Sequence, residues 1–153
     1  MFKNKIILGV FAGLTATIVK DAINQTLYSL TIMKTLFAEY ASGVFVSAME
    51  ARTMCGSILG YLIDFGLSSL FGIIFVFLLE KTKPKYIPFQ GVLFGSALFI
   101  VIYGALISFG ITAVKERTLS DAFIMIIIHF LYGLTLGIFV QKFGKSALGA
   151  NLT

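Results

Sequence analysis

Residues Gly56–Leu79 read GSILGYLIDFGLSSLFGIIFVFLL. One charge, Asp64, interrupts an apolar run longer than the about 20 residues a helix needs to cross a bilayer. Two further runs downstream have the same character. Tyr86–Val114 carries no charge, and Ala122–Gln141 carries only His129. Composition agrees with these runs. The chain has 153 residues, 58% hydrophobic and 12% charged, and an ordinary soluble domain carries about twice that share of charge, roughly 25%. The expected fold class is all-α: a polytopic membrane protein, a four-transmembrane-helix bundle.

The first run is harder to place. Lys5 and Lys20 enclose a stretch short for a span, so the helix must continue past Lys20 and Asp21 toward Tyr28 or Lys34. Asp21, Asn24 and Gln25 follow at i, i+3 and i+4 and share one face, with Lys20 beside them. That face is expected to point into the bundle or to lie at the interface. Lys3 and Lys5 before Ile6–Val19 have the look of a signal peptide. No small-x-small site closes the run, and Lys20-Asp21 follows directly, so cleavage is not expected. The expectation is a single integral membrane domain over 1–153, with spans at about 6–30, 55–79, 87–113 and 120–141. Residues 35–54 are read as interfacial or re-entrant, a fifth span being the alternative.

The net charge of +5 would suggest nucleic acid in a soluble protein. Here Lys and Arg flank the apolar runs and read as topology charges. One end of a four-span bundle would collect Lys3, Lys5, Lys81, Lys83, Lys85, Lys142 and Lys145 against Glu80, for a net +6. The remaining charges are Lys20, Lys34, Arg52, Lys115 and Arg117 against Asp21, Glu39, Glu50, Asp64, Glu116 and Asp121, for a net −1. The positive end should be cytoplasmic, giving an N-in/C-in arrangement. The expected location is the cell membrane, with the bacterial inner membrane favoured. Expected partners are the lipid bilayer and either a second copy of the chain or another membrane protein, with no nucleic acid. Cys55 stands alone, which excludes an intrachain disulfide and a cysteine zinc cluster. No metal, cofactor or catalytic residue is expected.

Each expected span carries a G-x-x-x-G: Gly9/Gly13, Gly56/Gly60, Gly91/Gly95 and Gly133/Gly137. Lipid tails are as apolar as leucine, so helices in a membrane associate through close backbone approach at small residues. These glycines are read as packing positions. In the second and fourth spans the stripes continue at i+4 through Gly56, Gly60, Asp64, Ser68 and Gly72, and through Met125, His129, Gly133, Gly137 and Gln141. Asp64 precedes Gly72, and His129 precedes Gly137, by the same interval. That would fit two related helical hairpins or chance agreement between sequences built from few residue types.

An ionisable side chain deep in a bilayer costs several kcal/mol unless it finds a partner or water. At 1.5 Å per residue, Lys20, Asp64, His129 and Tyr103 lie ~20–27 Å from the lysine-rich ends of their helices, so all four spans would offer a polar group at one level. Two readings of Lys20, Asp21, Asn24, Asp64, Tyr103 and His129 follow. One is a proton- or ion-linked site, with Asp64 the titrating carboxylate, His129 its proton partner and Lys20 setting its charge state. The other is a buried polar knot that fixes helix register. Ser68 or Ser69 with His129 could be drawn as nucleophile and base, but no supporting motif accompanies them.

Gly9-Val10-Phe11-Ala12-Gly13 followed by Val19-Lys20, Pro84-Lys85 leading to Phe89-Gln90-Gly91-Val92-Leu93-Phe94-Gly95, and His129 in the last helix resemble the YagU-like small inner-membrane proteins over parts of three helices. In that family pattern, histidines also stand in the second and third helices, where this chain has Asp64 and Tyr103. The resemblance implies a small polytopic inner-membrane protein of unassigned activity and supplies no mechanism. The function expected from the residues is a small transporter- or channel-like protein with an intramembrane polar site. The alternative is a non-catalytic scaffold or accessory subunit of a membrane complex.

Overall fold

The computed structural model describes residues 2–82, 85–115 and 118–149. Lys83, Pro84, Glu116 and Arg117, which enter the charge count and the resemblance, lie outside the described residues. The chain is 80% helical, with no strand among the described residues. Its elements are α1 (Lys5–Ser29), α2 (Phe37–Ser42), α3 (Ala48–Ala51), α4 (Met54–Thr82), α5 (Ile87–Leu98), a π-helical turn (Phe99–Tyr103), α6 (Gly104–Ser108), α7 (Leu119–Phe143) and α8 (Lys145–Leu148). Among the described residues, four helices are long and apolar enough to cross a bilayer: α1, α4, the continuous Ile87–Ser108 stretch and α7. The chain is a multi-pass membrane protein with a four-helix bundle.

Local chemistry sets the helix boundaries. Asn4 caps α1, its side-chain oxygen accepting from the Ile6 and Ile7 amides at 2.8 and 3.2 Å. Thr118 and Asp121 form a reciprocal capping box at the start of α7, as Ser47 and Glu50 do for α3. The third span ends at Ser108, short of the expected 113. Gly110 turns the chain with φ +63°, and the residues after it bind α2 instead of continuing upward. The Thr112 hydroxyl donates to the Tyr40 carbonyl at 3.0 Å, and the Ala113 amide donates to that of Gly43 at 2.7 Å.

One end of the bundle gathers the start of α1, the end of α4 and the end of α7. Lys5 pairs with Glu80 at 2.5 Å, and Gly144 packs against Leu8. This is the lysine-rich end. The connection between α1 and α4 covers the far end. Residues 35–54 make no fifth spanning helix. They fold back as α2 and α3, with Ala38 and Tyr40 almost wholly buried. Gly60 of α4 seats α2: a Cβ there would fall on the Ala38 carbonyl oxygen. Gly56 seats α3 in the same way, against the Glu50 carbonyl.

Helix pairing follows the glycines, with partners that differ from pair to pair. Gly91 and Gly95 of α5 cross Gly133 of α7 backbone to backbone, and Gly137 meets Ile87 and Pro88. Gly9 and Gly13 of α1 pack on Gly72 and Ser68 of α4. Thus α1 lies along both α4 and α7, and α5 lies along α7. By contrast α4 and α5 barely touch, Phe75 meeting Phe94 at 5.2 Å between ring centroids. Two related hairpins packed about an axis would give α4–α5 a contact equivalent to α1–α7. The bundle lacks it and is open along that flank.

The core divides into two apolar clusters. One holds Leu8, Ala12, Phe75, Leu79, Tyr132, Leu136 and Val140 toward the lysine-rich end. The other holds Met33, Phe37, Tyr40, Tyr103, Met125 and Ile128 toward the far end. The polar residues of α1, α4 and α7 sit at the junction between them.

Candidate functional site

Lys20 is the centre of that junction. Its ammonium donates to Asp21 Oδ1 at 2.6 Å and to Asp64 Oδ2 at 2.5 Å, and it lies 4.4 Å from the centroid of the Phe37 ring. Helix α1 brings Lys20 to this point because its inward face is small residues, Gly9, Gly13 and Ala16, which draw α4 close enough for Asp64 to reach across. A lone ammonium here would be very costly. Two carboxylates and an aromatic face compensate it.

The three members are not equally hidden. The side chains of Lys20 and Asp21 are 5% and 9% exposed, that of Asp64 18%. Asp21 closes the back of the triad, and its Oδ2 makes no hydrogen bond. Asp64 forms the front and faces a cavity of about 360 Å³.

The cavity occupies the gap left between α4 and the α5–α6 span. Ile63, Asp64, Leu67, Ser68 and Phe71 form one wall, and Leu98, Ile102, Tyr103 and Leu106 the other. Lys20, His129 and Tyr132 from α1 and α7 make the back. Phe37, Tyr40 and Ala41 of α2, with Val44 and Phe45, make the lid. With its back and lid closed, the free side of the cavity is the flank between α4 and α5–α6, where lipid would lie. The walls are almost all apolar or aromatic, and Asp64 and Lys20 supply the charge.

The remaining expected site residues separate into two groups. His129 and Tyr103 line the cavity. The His129 ring places Nδ1 2.8 Å from the Met125 carbonyl oxygen, so as the Nδ1–H tautomer it donates there. It sits edge-on to Phe37 and Phe99, at 5.3 and 5.4 Å. Tyr103 stacks on Phe99 and meets Tyr40 edge-on. Asn24 stands apart from the cavity. Its Oδ1 accepts from the Phe37 amide at 2.8 Å and its amide donates to Met33 Sδ, so it fastens the lid to α1. Gln25, expected on the same face, is exposed and accepts from the Tyr61 hydroxyl. Ser68 and His129 both line the cavity, and the Ser69 hydroxyl is turned to the Phe65 carbonyl.

Sequence reasoning did not find the lid. Phe37, Tyr40 and Phe45 belong to a stretch too short to span and without helical periodicity. The available signal was their aromatic content beside a polar face on α1. The π-helical turn at Phe99–Tyr103 left no mark in the sequence either. Such turns recur at functional sites, and this one places Ile102 and Tyr103 on the cavity wall.

No family model, curated protein or solved structure matches the chain.

Proposed function

We propose that the protein is a small transporter-like carrier of the bacterial inner membrane, with its lysine-rich end in the cytoplasm, which binds cargo in the cavity beside Asp64. The observation that carries this reading is the cavity itself. A polar knot that only fixed register would be packed shut, because empty space forfeits contacts on every side. Here the more exposed carboxylate of the triad faces open volume with Lys20 beside it, while Asp21 is held behind them, outside the lining.

The wall opposite Asp64 supports a moving part. The π-helical turn breaks the regular ladder between α5 and α6, and Gly104 follows it with open space where a side chain would go. Helices bend at such turns. Swinging α6 about this point would widen or close the gap to α4 without disturbing the glycine crossing of α5 with α7.

Sided labelling tests the reading. In a Cys55→Ser background, Ile102→Cys places a thiol on the cavity wall in a helix that keeps its apolar neighbours. A carrier exposes this thiol to membrane-impermeant thiol reagents added to either face of sealed vesicles. A scaffold or accessory subunit with a static core would protect it from both.

A further inference from the structure

We propose that the cargo of this cavity is a lipophilic organic cation that reaches it from within the bilayer. This rests on the carrier reading above and names its substrate class.

Charge comes first. When all three are ionised, Lys20, Asp21 and Asp64 together carry −1, and Asp64, the more exposed of the two carboxylates, is the one on the cavity wall. Uncompensated charge in a low-dielectric interior is expensive, so a monovalent cation in the cavity brings the group to neutrality. Lys20 also lines the cavity, but its ammonium already donates to both carboxylates, so an anion there would meet Asp64 beside a cation that is already paired.

The walls then select among cations. A metal ion or an unsubstituted ammonium needs several oxygen ligands or water to replace its hydration shell, and the lining offers few. It offers instead Phe37, Tyr40, Phe45, Phe71, Tyr103 and Tyr132. Aromatic faces attract cations through the ring quadrupole, and substituted ammonium groups are bound this way. Apolar substituents on the cation would fill the rest of the space. Lys20 already rests on the Phe37 ring, a cation–π contact at the same site.

The route follows from topology. The back and the lid are closed by α1, α7 and α2, and the open flank is bordered by exposed apolar residues, Leu67 at 41% and Phe45 at 68%. A molecule that partitions into lipid would meet this opening directly.

The test uses two probes of one shape and opposite charge, tetraphenylphosphonium and tetraphenylborate, and the full-length protein in nanodiscs. Saturable binding of the phosphonium, at least roughly tenfold tighter than of the borate, is expected for a cavity governed by Asp64. Asp64→Asn should weaken phosphonium binding roughly tenfold or more. Leu67→Trp leaves the triad intact and fills the mouth, so it should do the same. It decides the matter if Asp64→Asn does not fold. Equal or tighter binding of the borate, or phosphonium binding indifferent to both variants, overturns the proposal. If neither probe binds while Ile102→Cys is labelled from both faces, the substrate class is wrong and the carrier survives. Protection of Ile102→Cys from both faces would sink the carrier itself.

Discussion

Lys20 holds the triad together, and its two partners differ in what their loss leaves behind. Lys20→Met strands two carboxylates beside each other in the membrane interior, and stranding a buried charge costs about 3–5 kcal/mol. Asp64→Asn leaves Lys20 paired to Asp21 and should cost clearly less. Thermal unfolding of both variants in one detergent checks the order, and an Asp64→Asn midpoint below that of Lys20→Met contradicts it. Asn24 gives a second residue-scale expectation. Asn24→Ala orphans the Phe37 amide, at a cost of about 1–3 kcal/mol, and loosens the lid. Proteolysis in the α1–α2 connection should therefore accelerate before global unfolding changes. Glu50, outside the spans, is held below the ordinary glutamate range by hydrogen bonds from the Ser47 side chain and backbone. A depressed folded-state value means that the α3 cap contributes at neutral pH and is lost as pH falls through that value. The exchange protection factor of the Ser47 amide, which donates to the Glu50 carboxylate, should fall on acidification and stay flat in Glu50→Gln, where the cap no longer titrates.

At the scale of elements, the glycine crossings make the sharpest predictions. A Cβ at Gly91 or Gly133 falls on the backbone oxygen of the facing helix, and overpacking of this kind costs about 1–3 kcal/mol. Gly66 and Gly104 have nothing within 4 Å of a Cβ, so alanine there should be neutral or mildly stabilising through helix propensity. Unfolding midpoints of Gly91→Ala against Gly66→Ala measure the contrast, and equal midpoints would mean α5 and α7 do not cross where they are placed. The spacing of small residues told where helices come close, because only small residues allow it. It did not tell which helix meets which. Gly9 and Gly13 of α1 find Gly72 and Ser68, and Gly56 and Gly60 seat the lid, since pairing depends on how the connections run. The first helix was legible through its polar residues: Asp21 and Asn24 at i and i+3 could share a helix and turn inward. The early end at Ser108 goes with the hydrogen bonds of Thr112 and Ala113 to Tyr40 and Gly43, and neither it nor the break at Phe99–Tyr103 was readable from an uninterrupted apolar run.

For the whole molecule, four apolar runs and a one-sided lysine distribution were enough to read the bundle, because bilayer thickness and backbone satisfaction leave few alternatives. The cavity was not readable, since it arises from a missing contact, the open flank between α4 and α5. The proposed carrier requires this flank to open and close about the π-helical turn. Spin labels on Leu67→Cys and Leu106→Cys, in a Cys55→Ser background, span the mouth, and pulsed electron–electron resonance in nanodiscs reads the distance between them. A carrier gives a two-population distribution whose weights shift when tetraphenylphosphonium is added. A single narrow distance, unchanged by the cation, would contradict it.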